Sequence, residues 1–182
     1  ERGVKFVFNA GGLNPYGAAQ AVRELFAEKG WHARIAVITG DDVTQRIDHL
    51  QAQGHALLHM DTGAAITPIR NQLIFANLYL GARPIAEALE RGAEIVITGR
   101  VADAALFLGP LLHEFQWGAT DWDRLAQGVV AGHLLECSGQ GAGGNFGAAD
   151  VWQRIPDLAH IGFPIADIAA RSEEHTSELQ SR

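Results

Sequence analysis

Among 182 residues there is a single cysteine, Cys137. No intramolecular disulfide can therefore staple the fold, and the chain suits a reducing compartment. Basic residues are scarce too: 14 Lys and Arg stand against 21 Asp and Glu, for a net charge of −7. With no basic stripe to neutralise phosphates, a nucleic-acid partner is not expected. No apolar run approaches the roughly 20 residues that cross a bilayer, and no signal-peptide pattern opens the chain. A cytoplasmic protein without a membrane partner is the expectation. Several catalytic signatures are missing as well. There is no Walker A loop, because no Gly-Lys-Ser/Thr follows any glycine-rich turn, and the loop after the first strand is not the G-x-G-x-x-G dinucleotide fingerprint. Neither H-E-x-x-H nor C-x-x-C occurs. No metal site is expected, and the cofactor is left open.

The two ends read differently from the middle. The segment RSEEHTSELQSR, Arg171 to Arg182, is polar and aperiodic. Traced back through the genetic code, it matches a common sequencing-library adapter translated in one frame. Residues 171–182 are accordingly expected to be a non-native, disordered tail, with the native stretch stopping near Ala170; a native frayed terminus is the alternative. Glu1-Arg2-Gly3 reads as the tail of a helix ending at Gly3, so a cut is expected there too. The remainder, residues 1–170, suffices for one domain with a substantial core. Its composition is globular: 47% of the chain is apolar and 19% charged, far from the balance of a disordered chain.

What is present is a repeating apolar strand, glycine-bearing loop and amphipathic helix. That order predicts an α/β fold: a largely parallel, Rossmann-like sheet with helices on both faces. Strands are expected at 4–8, 34–39, 73–80 and 94–98. They are nearly continuous in aliphatic and β-branched residues, as strands covered on both faces are. Helices are expected from about Pro15 to Lys29, over 43–53, from Pro84 to Arg91, from Val101 through Phe115 with a kink at Pro110, and from Asp121 to about Cys137. The last is apolar almost all round, so it is expected to be buried. Asn14 before Pro15 is a good N-cap, and Gly30 a good stop.

In parallel sheets, the loops leaving the carboxyl ends of the strands line the ligand crevice. The first such loop, Asn9-Ala10-Gly11-Gly12-Leu13-Asn14-Pro15, places paired glycines before a helix. Exposed N–H groups and the helix dipole there suit a phosphate or carboxylate, which makes Asn9, Gly11, Gly12 and Asn14 candidate ligand contacts. A tight βα turn is the plain structural reading. Gly99 and Arg100 repeat the pattern, and an arginine at a helix start needs a compensating charge, either Asp103 or a bound anion. Gly143, Gly144 and Asn145 lie in a glycine-dense loop whose backbone must approach something closely, a ligand or another helix. Asp41 and Asp42 end the second strand, where they would bond a ribose or cap the next helix. His133, Glu136 and Cys137 project to one side of the last helix. A hydrogen-bonded His133/Glu136 pair orienting the following loop is preferred to a metal or a reactive cysteine. Asp103, His133 and Glu136 are the candidates for proton transfer.

Five segments, in order, carry a resemblance: RGVKFVFNAGGLNP, MDTG, ANLYLGARPIAEAL, AEIVITGRVADAAL and AGHLLECSGQGAGGNF. Together they resemble the acyclic terpene utilisation protein A (AtuA-like) family across nearly all of residues 1–168. The resemblance implies a role in bacterial catabolism of acyclic terpenes such as citronellol and geraniol, which proceeds through branched acyl-CoA esters. It implies no reaction and brings no catalytic residue with it. One departure is Ala142, where the family pattern carries Thr. The matching segments coincide with the glycine-rich loops, so the expected ligand is an anionic, acyl-CoA-like metabolite. The alternatives are a noncatalytic subunit partnering an acyl-CoA carboxylase and a nucleotide-dependent oxidoreductase. Whether the protein is an enzyme is left open.

Overall fold

The computed structural model describes residues 3–144, 154 and 156–169. The chain divides into two compact units, the first made of the residues up to Leu80 with Glu94–Val101, the second of Gly81–Ala93 with the residues from Ala102 on. It is a mixed α/β protein.

The first unit is built on a three-stranded parallel sheet in the order β1 (Phe6–Phe8), β3 (Ile95–Thr98), β2 (Ile35–Ile38). Phe6, Val7 and Phe8 face Ile95, Val96 and Ile97 in register, and Ile35 to Ile38 face Ile95 to Thr98. The central strand reads IVIT and is buried throughout, as its continuous β-branched run requires. Helix α1 (Pro15–Lys29) lays Ala18, Ala19, Val22 and Phe26 against Ile95, Ile97, Ile35 and Val37. Leu25, which falls between Val22 and Phe26 on the same helix, is 48% exposed. Both ends of α1 follow the expected chemistry. Asn14 Oδ1 accepts from the Gly17 N–H at 2.9 Å. At the other end Gly30 turns left-handed with φ 67°. The Trp31 N–H then donates to Phe26 O at 2.8 Å, and the Phe26 and Trp31 rings meet edge to face at 5.6 Å, which completes a Schellman stop with its hydrophobic contact. The helix expected over 43–53 is a short 3-10 turn, Thr44–Arg46, followed by α2 (Ile47–Ala52).

The strand expected at 73–80 does not form. Its residues make isolated bridges instead, Asp42 with Asn77 and Leu80 with Val101. The reason lies in where its hydrogen bonds go. Ala76 N–H donates to Thr44 Oγ1 at 2.8 Å, Leu78 N–H to Asp41 O at 2.7 Å, and Leu80 N–H to Arg100 O at 3.3 Å. The segment thus passes over the carboxyl ends of β2 and β3, bonding to their loops, and leaves no ladder to build.

The second unit, among the described residues, is helical: α3 (Arg83–Glu90), α4 (Ala105–Phe115) and α5 (Trp122–Glu136). The α3–α4 and α4–α5 pairs meet through glycines. A Cβ on Gly109 would lie 2.5 Å from Ile85 Cγ2, and one on Gly132 2.9 Å from the Ala104 backbone. Pro110 lies inside α4, where it cannot donate to the preceding turn. The buried residues of α5 are Gly128 and Gly132. Its Val129, Val130 and Leu134 are exposed, while Leu125 and Leu135 are half-buried, so the expectation of an all-round buried helix is corrected: a glycine seam packs, and one aliphatic face looks outward. None of the described helices is long and apolar enough to cross a membrane.

Candidate functional site

At the carboxyl ends of the strands in the first unit, one carboxylate organises the loops. Asp41, just beyond β2, is only 4% exposed. Its Oδ2 accepts from the Arg100 backbone N–H at 2.7 Å and from Asn77 Nδ2 at 2.8 Å. A buried carboxylate is tolerable where its lone pairs are met by donors in this way. Gly99 lies directly against it: a Cβ there would sit 2.4 Å from Asp41 Oδ1, a distance no side chain survives. Gly11 makes the corresponding approach from the β1 loop, where a Cβ would lie 2.5 Å from Thr98 O. Glycine is required at both places because backbone meets backbone or carboxylate with no room for a methyl group.

Around this hub opens a cleft of about 400 Å³, lined by Asn9, Gly12, Leu13, Phe75, Asn77, Tyr79, Gly99 and Arg100. The Arg100 guanidinium stands 4.4 Å from the centre of the Tyr79 ring, a cation–π contact that holds the charge by its flat face. The cleft therefore combines one cation, two carboxamides and an apolar wall.

Of the residues singled out by sequence, Asn9, Gly12, Gly99 and Arg100 line this cleft, and Gly11 is buried beside Thr98. Asn14 does something else, since its side chain caps α1. The anion cradle expected of the first loop is partly spent on itself: Gly12 N–H donates to Asn9 O at 3.2 Å and Asn14 N–H to Gly11 O at 2.8 Å. Nor does Arg100 open a helix, for α4 begins only at Ala105. Asp41 does not cap the next helix; its Oδ2 is taken up by Asn77 and the Arg100 N–H. Asp42 does cap the next turn, accepting from the Thr44 hydroxyl at 2.6 Å and the Thr44 N–H at 2.9 Å. Those two bonds, the hydroxyl first, hold its carboxyl below the usual range. Sequence reasoning missed Phe75, Asn77 and Tyr79. Their signal was there: alternate residues of an extended segment point the same way, and the three are spaced by two.

The other candidates belong to the second unit. His133 is exposed, with Nδ1 3.2 Å from Val129 O. Glu136 accepts from Cys137 Sγ at 2.8 Å. The hydrogen-bonded His133/Glu136 pair expected from their spacing is thus replaced by two separate local contacts. The bond to Glu136 is the main reason the Cys137 thiol titrates above its ordinary range, with burial and the negative charges of Glu136 and Asp103 adding to it. A thiol held protonated is a poor nucleophile. Gly143 and Gly144 close a tight turn, donating to Gln140 O at 3.0 Å and Gly139 O at 2.7 Å. Asn145 lies outside the described residues. Among the described residues no group of three or more His, Cys, Asp or Glu could hold a metal ion.

The sheet and cleft define the class: a mixed α/β protein with a small parallel sheet and a cleft at the carboxyl ends of its strands. The chain belongs to the acyclic terpene utilisation protein AtuA family, whose model matches residues 1–175. That match covers all five segments on which the resemblance was drawn. No curated protein and no solved structure matches the chain.

Proposed function

We propose that this protein serves acyclic terpene catabolism by binding an anionic, acyl-CoA-like metabolite of the branched acyl series in the strand-end cleft of its first unit. The family points to acyclic terpene utilisation. The observation that carries the finer reading is Arg100 held over Tyr79, in a cleft also walled by Phe75 and Leu13. A cation fixed beside an apolar wall suits an anionic head on a hydrocarbon chain. We read the sheet as a Rossmann-like core on the support of its parallel register and of the β1-loop-α1-β2 order. Asp103, His133 and Glu136 are the candidates for proton transfer, with His133 favoured because Cys137 engages Glu136.

Calorimetric titration with short branched acyl-CoAs and free CoA tests this reading. Measurable heat is expected for the esters. Arg100→Ala should weaken binding by about 10- to 100-fold, the worth of one hydrogen bond to a charged group. No heat for any of these ligands at high micromolar concentration would count against it. A second reading, a noncatalytic subunit that docks on an acyl-CoA carboxylase, draws on the exposed Val129, Val130 and Leu134 of α5. Co-purification lost on Val130→Glu, with acyl-CoA binding intact, would favour that reading.

A further inference from the structure

We infer that Asp41 and Asn77 make the cleft selective for a ligand that carries a hydrogen-bond donor, a hydroxyl above all, beside its anionic or acyl group. The inference rests on the reading of the cleft as the ligand site and narrows the class of ligand.

The carboxylate of Asp41 can only accept hydrogen bonds. Its Oδ2 lies 2.8 Å from the Asn77 side chain, so the end of the Asn77 amide turned toward it has to be the NH₂. The same oxygen accepts from the Arg100 N–H at 2.7 Å, and the carboxylate is wedged against Gly99. It has no freedom to swing away and let the amide turn over. Asn77 lines the cleft. With one N–H of its NH₂ committed to Asp41, the amide cannot turn over, so the carbonyl oxygen stays in place as a fixed acceptor for a ligand. A few ångströms along the same extended segment, Tyr79 holds the Arg100 guanidinium, a donor only. The cleft therefore offers an acceptor and a cation fixed relative to one another by one buried carboxylate. A saturated acyl or carboxylate ligand answers Arg100 and leaves the Asn77 oxygen without a partner. A hydroxyacyl ligand answers both.

Asn77 thus acts as a specificity-determining residue, and Asp41 as a positioning residue that works through it. A purely structural role for Asp41 would change stability and the affinity for all ligands alike. A positioning role changes the preference between two ligands that differ by one hydroxyl.

The probes are 3-hydroxybutanoyl-CoA and butanoyl-CoA, titrated separately into the full chain by calorimetry. The hydroxyacyl ester should bind about 3- to 10-fold more tightly, the worth of one neutral hydrogen bond. Asn77→Ala should bring the two to parity by weakening the hydroxyacyl ester alone. Asp41→Asn, which can itself donate and so lets the Asn77 amide turn over, should also abolish the preference. Because Asp41→Asn sits in the interior and is the variant at risk of unfolding, Asn77→Ala provides the independent decision. If both esters bind the unchanged protein equally, or if Asn77→Ala keeps the preference, the inference fails while the reading of the cleft stands. If neither ester binds, the reading of the cleft fails and takes this inference with it.

Discussion

Both units of the chain use glycine to bring parts of the fold close, but to different ends. In the first unit Gly99 admits a buried carboxylate and Gly11 admits a carbonyl, so the close approach assembles polar groups whose partners are named and near. In the second unit Gly109 and Gly132 admit an isoleucine side chain and an alanine backbone, so the close approach assembles a helix seam with no polar side chain at either contact. The leftover polarity differs accordingly. Asp41 and Thr98, the buried polar residues of the first unit, are both hydrogen-bonded. In the second unit, among the described residues, the buried His113 Nδ1 and Trp117 Nε1 have no hydrogen-bond partner. A site needs preorganised and satisfied polar groups. By that measure the polar cluster around Asp41 in the first unit is the better preorganised of the two.

The comparison breaks most sharply on its glycines. Gly99→Ala should destabilise the first unit by about 2–3 kcal/mol, because the added methyl meets a carboxylate that cannot move without orphaning two donors. It should also abolish ligand heat in the cleft. Gly132→Ala meets the Ala104 backbone instead, with a cost of about 1–3 kcal/mol in the second unit. Thermal denaturation followed by circular dichroism gives the stability, and titration gives the binding. Should Gly132→Ala remove binding as completely as Gly99→Ala, the two glycines would not serve different ends. Asp41→Ala comes next, at about 1–3 kcal/mol for the Arg100 N–H and the Asn77 amide left without their acceptor.

The sequence made the frame of the first unit legible because its signals are local. Asn14-Pro15 and Gly30 bracket α1, and the aliphatic runs at 35–38 and 95–98 mark two of the strands. It misled at 73–80, whose LIFANLYL looks like a buried strand. That stretch is instead tied through Ala76, Leu78 and Leu80 to loops far away in the chain, a fact no local pattern carries. The site was half legible for the same reason. Glycines announce close approach, so Gly11 and Gly99 could be picked out, but what approaches them is a long-range matter, and Asp41 was read as a helix cap or ribose ligand. In α5 the polar spacing of His133 and Glu136 suggested a pair, yet each found a nearer partner in Val129 O and Cys137.

A smaller effect tests the polar character of the second unit through its thiol. Cys137 is raised by its bond to Glu136 and by nearby negative charge, so at neutral pH it should react slowly with iodoacetamide, more slowly than free cysteine. Glu136→Gln removes the charge, which should move the alkylation profile to lower pH and quicken the reaction at pH 8. An unchanged profile would mean that Glu136 does not govern the thiol.

The smallest shift concerns Asp42, whose carboxyl lies below its usual range because Thr44 donates to it through its hydroxyl and its N–H. A depressed carboxyl stabilises the fold above its unfolded pKa near 3.8, and the contribution is lost as pH falls through the lower folded value. Asp42 is exposed, so solvent screens much of the effect. Asp42→Asn should therefore lower the melting temperature by no more than a few degrees at pH 7, and by less at pH 3. A similar loss at both pH values would show that the Thr44 bonds depend on the shape of the side chain alone. In that case Asp42 would work by the shape of its side chain, unlike Asp41, whose acceptor-only carboxylate is what fixes the Asn77 amide.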